Sequence, residues 1–160
     1  MWQEDAVMQF IHNVIGNRQT VVVDPATSVR DAARLMSERG IGGVPVVDGP
    51  RLVGIFTERD IMARVVAAEL PPSTPVGDVM STDLVVADVN EGSEACLRRM
   101  QQAKVRHVIV LRDGQLAGIV SLRDLLAVEL DEKEQAITLL NAYVHYIPVD
   151  LGATKSSTQA

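Results

Sequence analysis

The stretch Gly54-Ile55-Phe56-Thr57-Glu58-Arg59-Asp60 joins two kinds of pattern. Leu52 to Phe56 is a short apolar run that reads as a buried strand, and Ile61, Met62, Val65 and Val66 then recur at helical spacing. The stretch is therefore a strand end, a tight turn and a helix start. Thr57 stands where an N-cap belongs, and Asp60, three residues on, can close a capping box.

The same construction returns as Gly118-Ile119-Val120-Ser121-Leu122-Arg123-Asp124, at an offset of 64 residues. That offset, with no gap, also pairs Val22 with Val86, Asp24 with Asp88, Arg34 with Arg98, Met36 with Met100, Val44 with Val108, Val46 with Val110 and Leu52 with Leu116. A register held over such a span is an internal duplication, and it governs every later reading.

Each repeat reads as strand, helix, strand, strand, helix. In the first, the strand at 20–23 is broken by Asp24-Pro25, and Thr27 or Ser28 caps a helix that Gly40 ends. Strands follow at 44–47 and 52–56, joined by Asp48-Gly49-Pro50, and a helix runs from Arg59 to Glu69. The second repeat reads as strand 84–87, helix 92–103, strands 107–111 and 116–120, and helix 122–130. The expected divisions are 1–70 for the first repeat with its lead-in helix at about 5–15, a proline-rich linker at 71–75, and 76–130 for the second repeat. A C-terminal helix over 131–148 carries Ala136, Leu140, Tyr143, Val144 and Ile147 on one side, and 149–160 is a polar, disordered tail. The fold class is α+β (mixed α/β): two tandem β-α-β-β-α repeats related by a pseudo-twofold axis, with flanking helices. Each repeat alone is too small to bury much, so the two are expected to share a core.

Composition narrows the function. The chain has 160 residues, 47% of them hydrophobic and 22% charged, the balance of a globular protein. A net charge of −6 argues against a general nucleic-acid binder. No stretch approaches the ~20 apolar residues of a membrane span, and Met1 to Asp5 lacks the order of a signal peptide. Cys96 is the single cysteine, which excludes an internal disulfide and fits a cytoplasmic setting. His12 and His145 have no partners at metal-ligand spacing.

The junctions carry the chemistry. A helix N-terminus attracts phosphate, and the hydroxyls of Thr57 and Ser121 can donate to it. An ionised Asp60 or Asp124 accepts at two oxygens, which suits the adjacent hydroxyls of a ribose. Gly42-Gly43-Val44-Pro45 offers amides and an apolar wall to a flat base; the matching residues are Arg106-His107-Val108-Ile109. Against this, Thr-x-x-Asp before a helix is commonly a capping box and no more. Arg59 and Arg123 on a first turn are commonly solvated, and His107 fits a core histidine as well as a phosphate ligand. Cys96, in the slot of Ala32, reads as core.

The paired Gly-x-x-(Thr/Ser)-x-x-Asp junctions resemble the cystathionine-β-synthase (CBS) domain pair, the Bateman module, over residues 12–130. Val76-Gly77-Asp78-Val79-Met80 and Gly40 to Asp48 add to the resemblance. It implies an adenosine-containing ligand: AMP, ADP, ATP, NAD(H) or S-adenosylmethionine. It places Asp60 and Asp124 on ribose, and Thr57 and Ser121 on phosphate or ribose. Gly43, Val44-Pro45 and Val108-Ile109 would lie along adenine, with Thr20 and Leu84 opposite, and Arg59, Arg106, His107 and Arg123 would be phosphate contacts. Ile109 departs from the family's usual proline. The first site is expected at Gly42 to Pro45 with Arg59, and a more cationic second site at Arg106-His107 with Arg123, with His107 gaining as a cation near pH 6. The resemblance also implies a homodimer.

Two functions follow from these readings, a nucleotide sensor acting on an unknown regulated protein or a ligand-free dimerisation and docking module. An enzyme is disfavoured, since no nucleophile–base set stands on convergent elements.

Overall fold

The computed structural model describes residues 9–145. One compact unit runs to Glu129, and a second begins at Leu130. The elements of the first unit are α1 (Ile11–Ile15), α2 (Val29–Arg39), β1 (Gly43–Asp48), β2 (Arg51–Thr57), α3 (Glu58–Asp60), a π-helical stretch at Ile61–Val66, α4 (Val76–Val79), β3 (Val86–Asp88), α5 (Ser93–Ala103), β4 (His107–Arg112), β5 (Gln115–Ser121) and the start of α6 (Leu122–His145).

Local chemistry accounts for most boundaries. The Ser28 hydroxyl accepts from the Asp31 amide at 3.1 Å and starts α2, and Gly40, at φ 62°, ends it. In each repeat an antiparallel hairpin follows, β1 with β2 and β4 with β5, and Val44↔Phe56 matches Val108↔Val120 in register. Asp113-Gly114 links the second hairpin with both residues at positive φ, the backbone such a two-residue turn needs.

The first strands differ between repeats. β3 pairs in parallel with β4, whereas the strand expected at 20–23 is reduced to an isolated bridge between Val23 and Val46. The reason is one missing donor. In the second repeat the Ile109 amide donates to the Val85 carbonyl at 3.1 Å. Its counterpart Pro45 has no N–H, so the matching bond to Val21 cannot form.

The core also departs from expectation. There are two apolar clusters, and each is completed by the lead-in helix of the other repeat. Ile11, Val14 and Ile15 of α1 are buried with Ala87, Cys96, Met100, Val108, Val110 and Leu125 of repeat 2. Val76 and Val79 of α4 are buried with Val29, Met36, Val44, Phe56 and Val65 of repeat 1. Backbone bonds fix the exchange: the Ile11 amide donates to the Glu91 carbonyl at 2.9 Å, and the Val76 amide to the Thr27 carbonyl at 2.8 Å. The segment 71–75 is no free tether, because its Thr74 carbonyl accepts from the Val29 amide at 2.8 Å.

Two helices differ from the sequence pattern. The one expected from Arg59 to Glu69 is α3 followed by the π-helical stretch, and the Leu70 amide reaches back five residues to the Val65 carbonyl at 2.9 Å. In that frame Arg64 donates to the Val79 and Met80 carbonyls at 3.3 and 2.8 Å and satisfies the end of α4. The helices expected separately at 122–130 and 131–148 form one helix, α6, since no glycine or proline interrupts Leu122–His145. In the unit from Leu130, Ile137, Leu139 and Leu140 are exposed. The expected face of that helix includes Tyr143, Val144 and Ile147, whose side chains lie outside the described residues, as do the helix end at Pro148 and the tail.

Candidate nucleotide cleft

The site is built around a carboxylate that the fold holds from several directions. β2 ends at Thr57, and the capping box forms: the Asp60 amide donates to the Thr57 hydroxyl, and the Thr57 amide donates to Asp60 Oδ2 at 2.9 Å. The Thr57 hydroxyl itself donates to the same oxygen at 3.0 Å. Oδ1 accepts from the Ser81 hydroxyl at 2.9 Å, and Arg64 Nε stands 3.7 Å away. Asp60 is only 4% exposed, so a charge that would be costly to bury alone is met on both oxygens.

A cleft opens beside it. Repeat 1 supplies Gly42, Thr57, Glu58, Arg59 and Asp60, and repeat 2 supplies Leu84, Val85, Arg106, His107 and Ile109. The residues expected to form two separate sites are thus combined differently. Arg106, His107, Leu84 and Ile109 stand with Asp60: α4 packs into the first core, Ser81 just beyond it bonds Asp60, and the chain then returns through Leu84 to pair β3 with β4 in its own repeat. Val44 and Val108 are fully buried in the two cores, and on β4 the residues that line the cleft are His107 and Ile109, one position to either side of Val108.

His107 explains the glycine pair. A Cβ built on Gly43 would lie 3.2 Å from the imidazole, and one on Gly42 would lie 3.1 Å from it. The ring therefore rests on the backbone at the position that matches its own in the first repeat. Burial lowers the proton affinity of His107; the nearby Glu58 carboxylate opposes this, Arg106 adds to it, and Asp124 opposes it. The net direction is down, which works against the cationic His107 expected near pH 6.

The arginines divide. Arg59 Nη1 donates to the Lys104 carbonyl at 3.1 Å, tying the first junction to the end of α5. Arg106 and Arg123 are exposed. At the second junction the Ser121 amide and hydroxyl donate to Asp124 Oδ2 at 2.9 and 2.8 Å, so the capping box repeats. Asp124 Oδ1 accepts from Arg18 at 3.3 Å, and the Thr20 hydroxyl donates to the Ala117 carbonyl at 3.1 Å. Burial alone would raise the Asp124 pKa, but the Ser121 donors and Arg18 outweigh it and hold the carboxyl below its usual range. Sequence reasoning missed Arg18, Ser81 and Glu58. All three lie within two residues of a segment it had singled out, yet only the crossing of the lead-ins brings Arg18 and Ser81 to a carboxylate. Among the described residues no group of His, Cys, Asp and Glu is placed to hold a metal ion.

The junction glycines have unequal tolerance. A Cβ on Gly54 would stand 2.5 Å from Met80 Sδ and 3.0 Å from the Ser81 carbonyl, whereas one on Gly118 would meet Ile15 at an ordinary 3.5 Å. Gly54→Ala is expected to cost about 1–3 kcal/mol by overpacking, and Gly118→Ala less than about 0.5 kcal/mol, the usual scale of a substitution that creates no clash. Urea unfolding of both variants checks this, and equal losses would contradict it.

The duplication agrees with known proteins. The CBS domain family model matches residues 13–67 and again 76–131. The CBS domain-containing protein YhcV of Bacillus subtilis is 34% identical over 123 residues, spanning 77% of this chain and 88% of that protein. The crystal structure of the CBS domain protein NE2398 superposes with a TM-score of 0.73 at 29% identity, over 77% of this chain and 98% of the other. Two more distant structures share the fold. The CBS domain pair of MJ0100, solved with 5′-methylthioadenosine and S-adenosyl-L-methionine, is 21% identical with a TM-score of 0.71, over 78% of this chain and 98% of the other. PAE2072 of Pyrobaculum aerophilum, solved with AMP, is 22% identical with a TM-score of 0.69, over 79% and 99%. With two matched repeats, each carrying the strand–turn–helix junction, this chain belongs to the CBS domain family as a tandem pair.

Proposed function

We propose that the chain is a non-catalytic sensor that binds an adenosine-containing nucleotide in the cleft at Asp60. The observation that carries this reading is the cleft's composition. A buried carboxylate, of the kind that can accept from a ribose diol, lines the cleft together with the apolar Leu84, Val85 and Ile109 and the cationic Arg106. That is a concave site in which charged and hydroxyl groups stand beside apolar side chains, a lining that suits a ligand with both a flat base and a polar sugar phosphate. AMP in PAE2072 and S-adenosylmethionine in MJ0100 support the ligand class.

Binding would couple the repeats, because both of them line the cleft. A ligand that fits both stabilises one relative arrangement, and that arrangement is what a regulated protein would read. A cytoplasmic setting belongs to this reading; no described helix is long and apolar enough to cross a membrane.

The test is a melting panel of AMP, ADP, ATP, NADH and S-adenosylmethionine. A ligand at 100 times its Kd is expected to stabilise the fold by about 2.7 kcal/mol. No shift with any of them at millimolar concentration would remove the sensor reading.

A second reading, self-association, has its own observation. Met62 and Val66 are 63% and 67% exposed, and Leu126, the counterpart of Met62, is 44% exposed. Apolar side chains at matched places on both closing helices suit a homodimer. A monomeric mass by light scattering would refute it.

A further inference from the structure

We infer that the Asp60 cleft takes adenosine ligands with at most one phosphate and turns away polyphosphates, and that Glu58 makes this selection. The inference rests on the nucleotide reading above and deepens it, since it assigns a class of ligand to that same cleft.

The charged side chains that line the cleft are the carboxylates of Glu58, Asp60 and Asp83 and the guanidiniums of Arg59 and Arg106. Their commitments differ. Asp60 is met on both oxygens by Thr57, Ser81 and Arg64. Arg59 is tied to the end of α5 through the Lys104 carbonyl. Among the described residues neither Glu58 nor Asp83 forms an ion pair. Both carboxylates therefore line the cleft unpaired, with Arg106 as the cation left to balance them. Glu58 is the better placed of the two. Its Oε2 would lie 3.1 Å from a Cβ on Gly42, and the His107 ring lies 3.1 Å from that same point. The carboxylate thus stands where the two repeats meet. Burial lowers the proton affinity of the ring beside it, so no imidazolium offsets its charge near neutral pH. The 64-residue register matches Glu58 with Leu122 and Asp83 with Gln19, so neither charge belongs to the duplicated pattern.

One phosphate suits this balance, because a guanidinium such as Arg106 can hold it with two parallel bonds. Further phosphates find the cation already engaged and add negative charge beside the carboxylates. An exposed charge is felt over about 8 Å at physiological salt, which takes in the 5′ substituent of an adenosine whose ribose is held at Asp60, two residues along. Two unit charges about 7 Å apart, at an effective dielectric of about 60, repel by an amount worth about fourfold in affinity. A triphosphate carries about two charges more than a monophosphate, so it should bind about tenfold more weakly.

The experiment is calorimetric titration of adenosine, AMP and ATP, in magnesium-free buffer, into the parent, Glu58→Gln, Glu58→Asp and Glu38→Gln. The parent is expected to bind AMP about tenfold more tightly than ATP, and the gap should narrow as salt is raised. Glu58→Gln should reduce the preference to about threefold or less by tightening ATP, a gain that lost packing would not produce. Glu58→Asp keeps the charge and should keep most of the preference. Glu38→Gln removes the same charge from an exposed position on α2, outside the cleft, and should leave the preference unchanged. ATP binding the parent as tightly as AMP, an unchanged preference in Glu58→Gln, or an equal loss in Glu38→Gln overturns the inference and leaves the sensor reading standing. If none of the three ligands binds the parent, the inference falls, and a flat melting panel then removes the nucleotide reading as well.

Discussion

Ile11→Ala is expected to cost about 2–5 kcal/mol and to loosen the second repeat, although Ile11 precedes the first. The side chain is fully buried in the cluster that holds Met100, Val108 and Leu125. Truncation loses transfer free energy and leaves a cavity, and in a packed core the two together reach this range. The location of the damage is the sharper test. Amide exchange should accelerate in β4 and β5 while β1 and β2 stay protected until global opening. Loss confined to the first repeat would mean that α1 does not complete the second core.

Asp60→Ala is expected to weaken nucleotide binding by about 10- to 100-fold, the value of a hydrogen bond to a charged acceptor. It should also cost about 2–4 kcal/mol of stability, because a capping box is lost and the Ser81 hydroxyl is left without its acceptor. Calorimetric titration and chemical unfolding of the same variant separate the two effects. Asp60→Asn is the control, since its amide oxygen can still accept at the cap and restores part of the stability. Normal binding in a destabilised Asp60→Ala would reduce the residue to a structural role.

The parts of the fold legible in sequence are those made by near neighbours. The hairpins, the cap at Ser28, the glycine stop at Gly40 and both capping boxes depend on residues a few positions apart, and the 64-residue register follows from matched residue types. The lead-ins were legible as helices but not by destination, because apolar faces such as Ile11-Val14-Ile15 fit either core equally well. That one ambiguity also hid the composition of the cleft. Asp60 was identified from its cap, yet its neighbours Arg106, His107 and Ile109 were assigned to the other carboxylate, since proximity in sequence was the only guide. The shortened first strand had a visible cause in Pro45, read there as a wall for adenine rather than as a missing donor.

The contact of His107 with Gly43 bears on how a duplicated gene can diverge. Residues at matched positions usually face separate surroundings, and each repeat can then vary alone. Here the two matched positions share one volume. A chain made of two first repeats would set glycine against glycine and leave a hole the size of an imidazole. A chain made of two second repeats would ask two rings to occupy the same space. The halves are therefore not interchangeable at this point: a larger residue in one copy obliges a smaller one in the other, and the pair must drift as a unit.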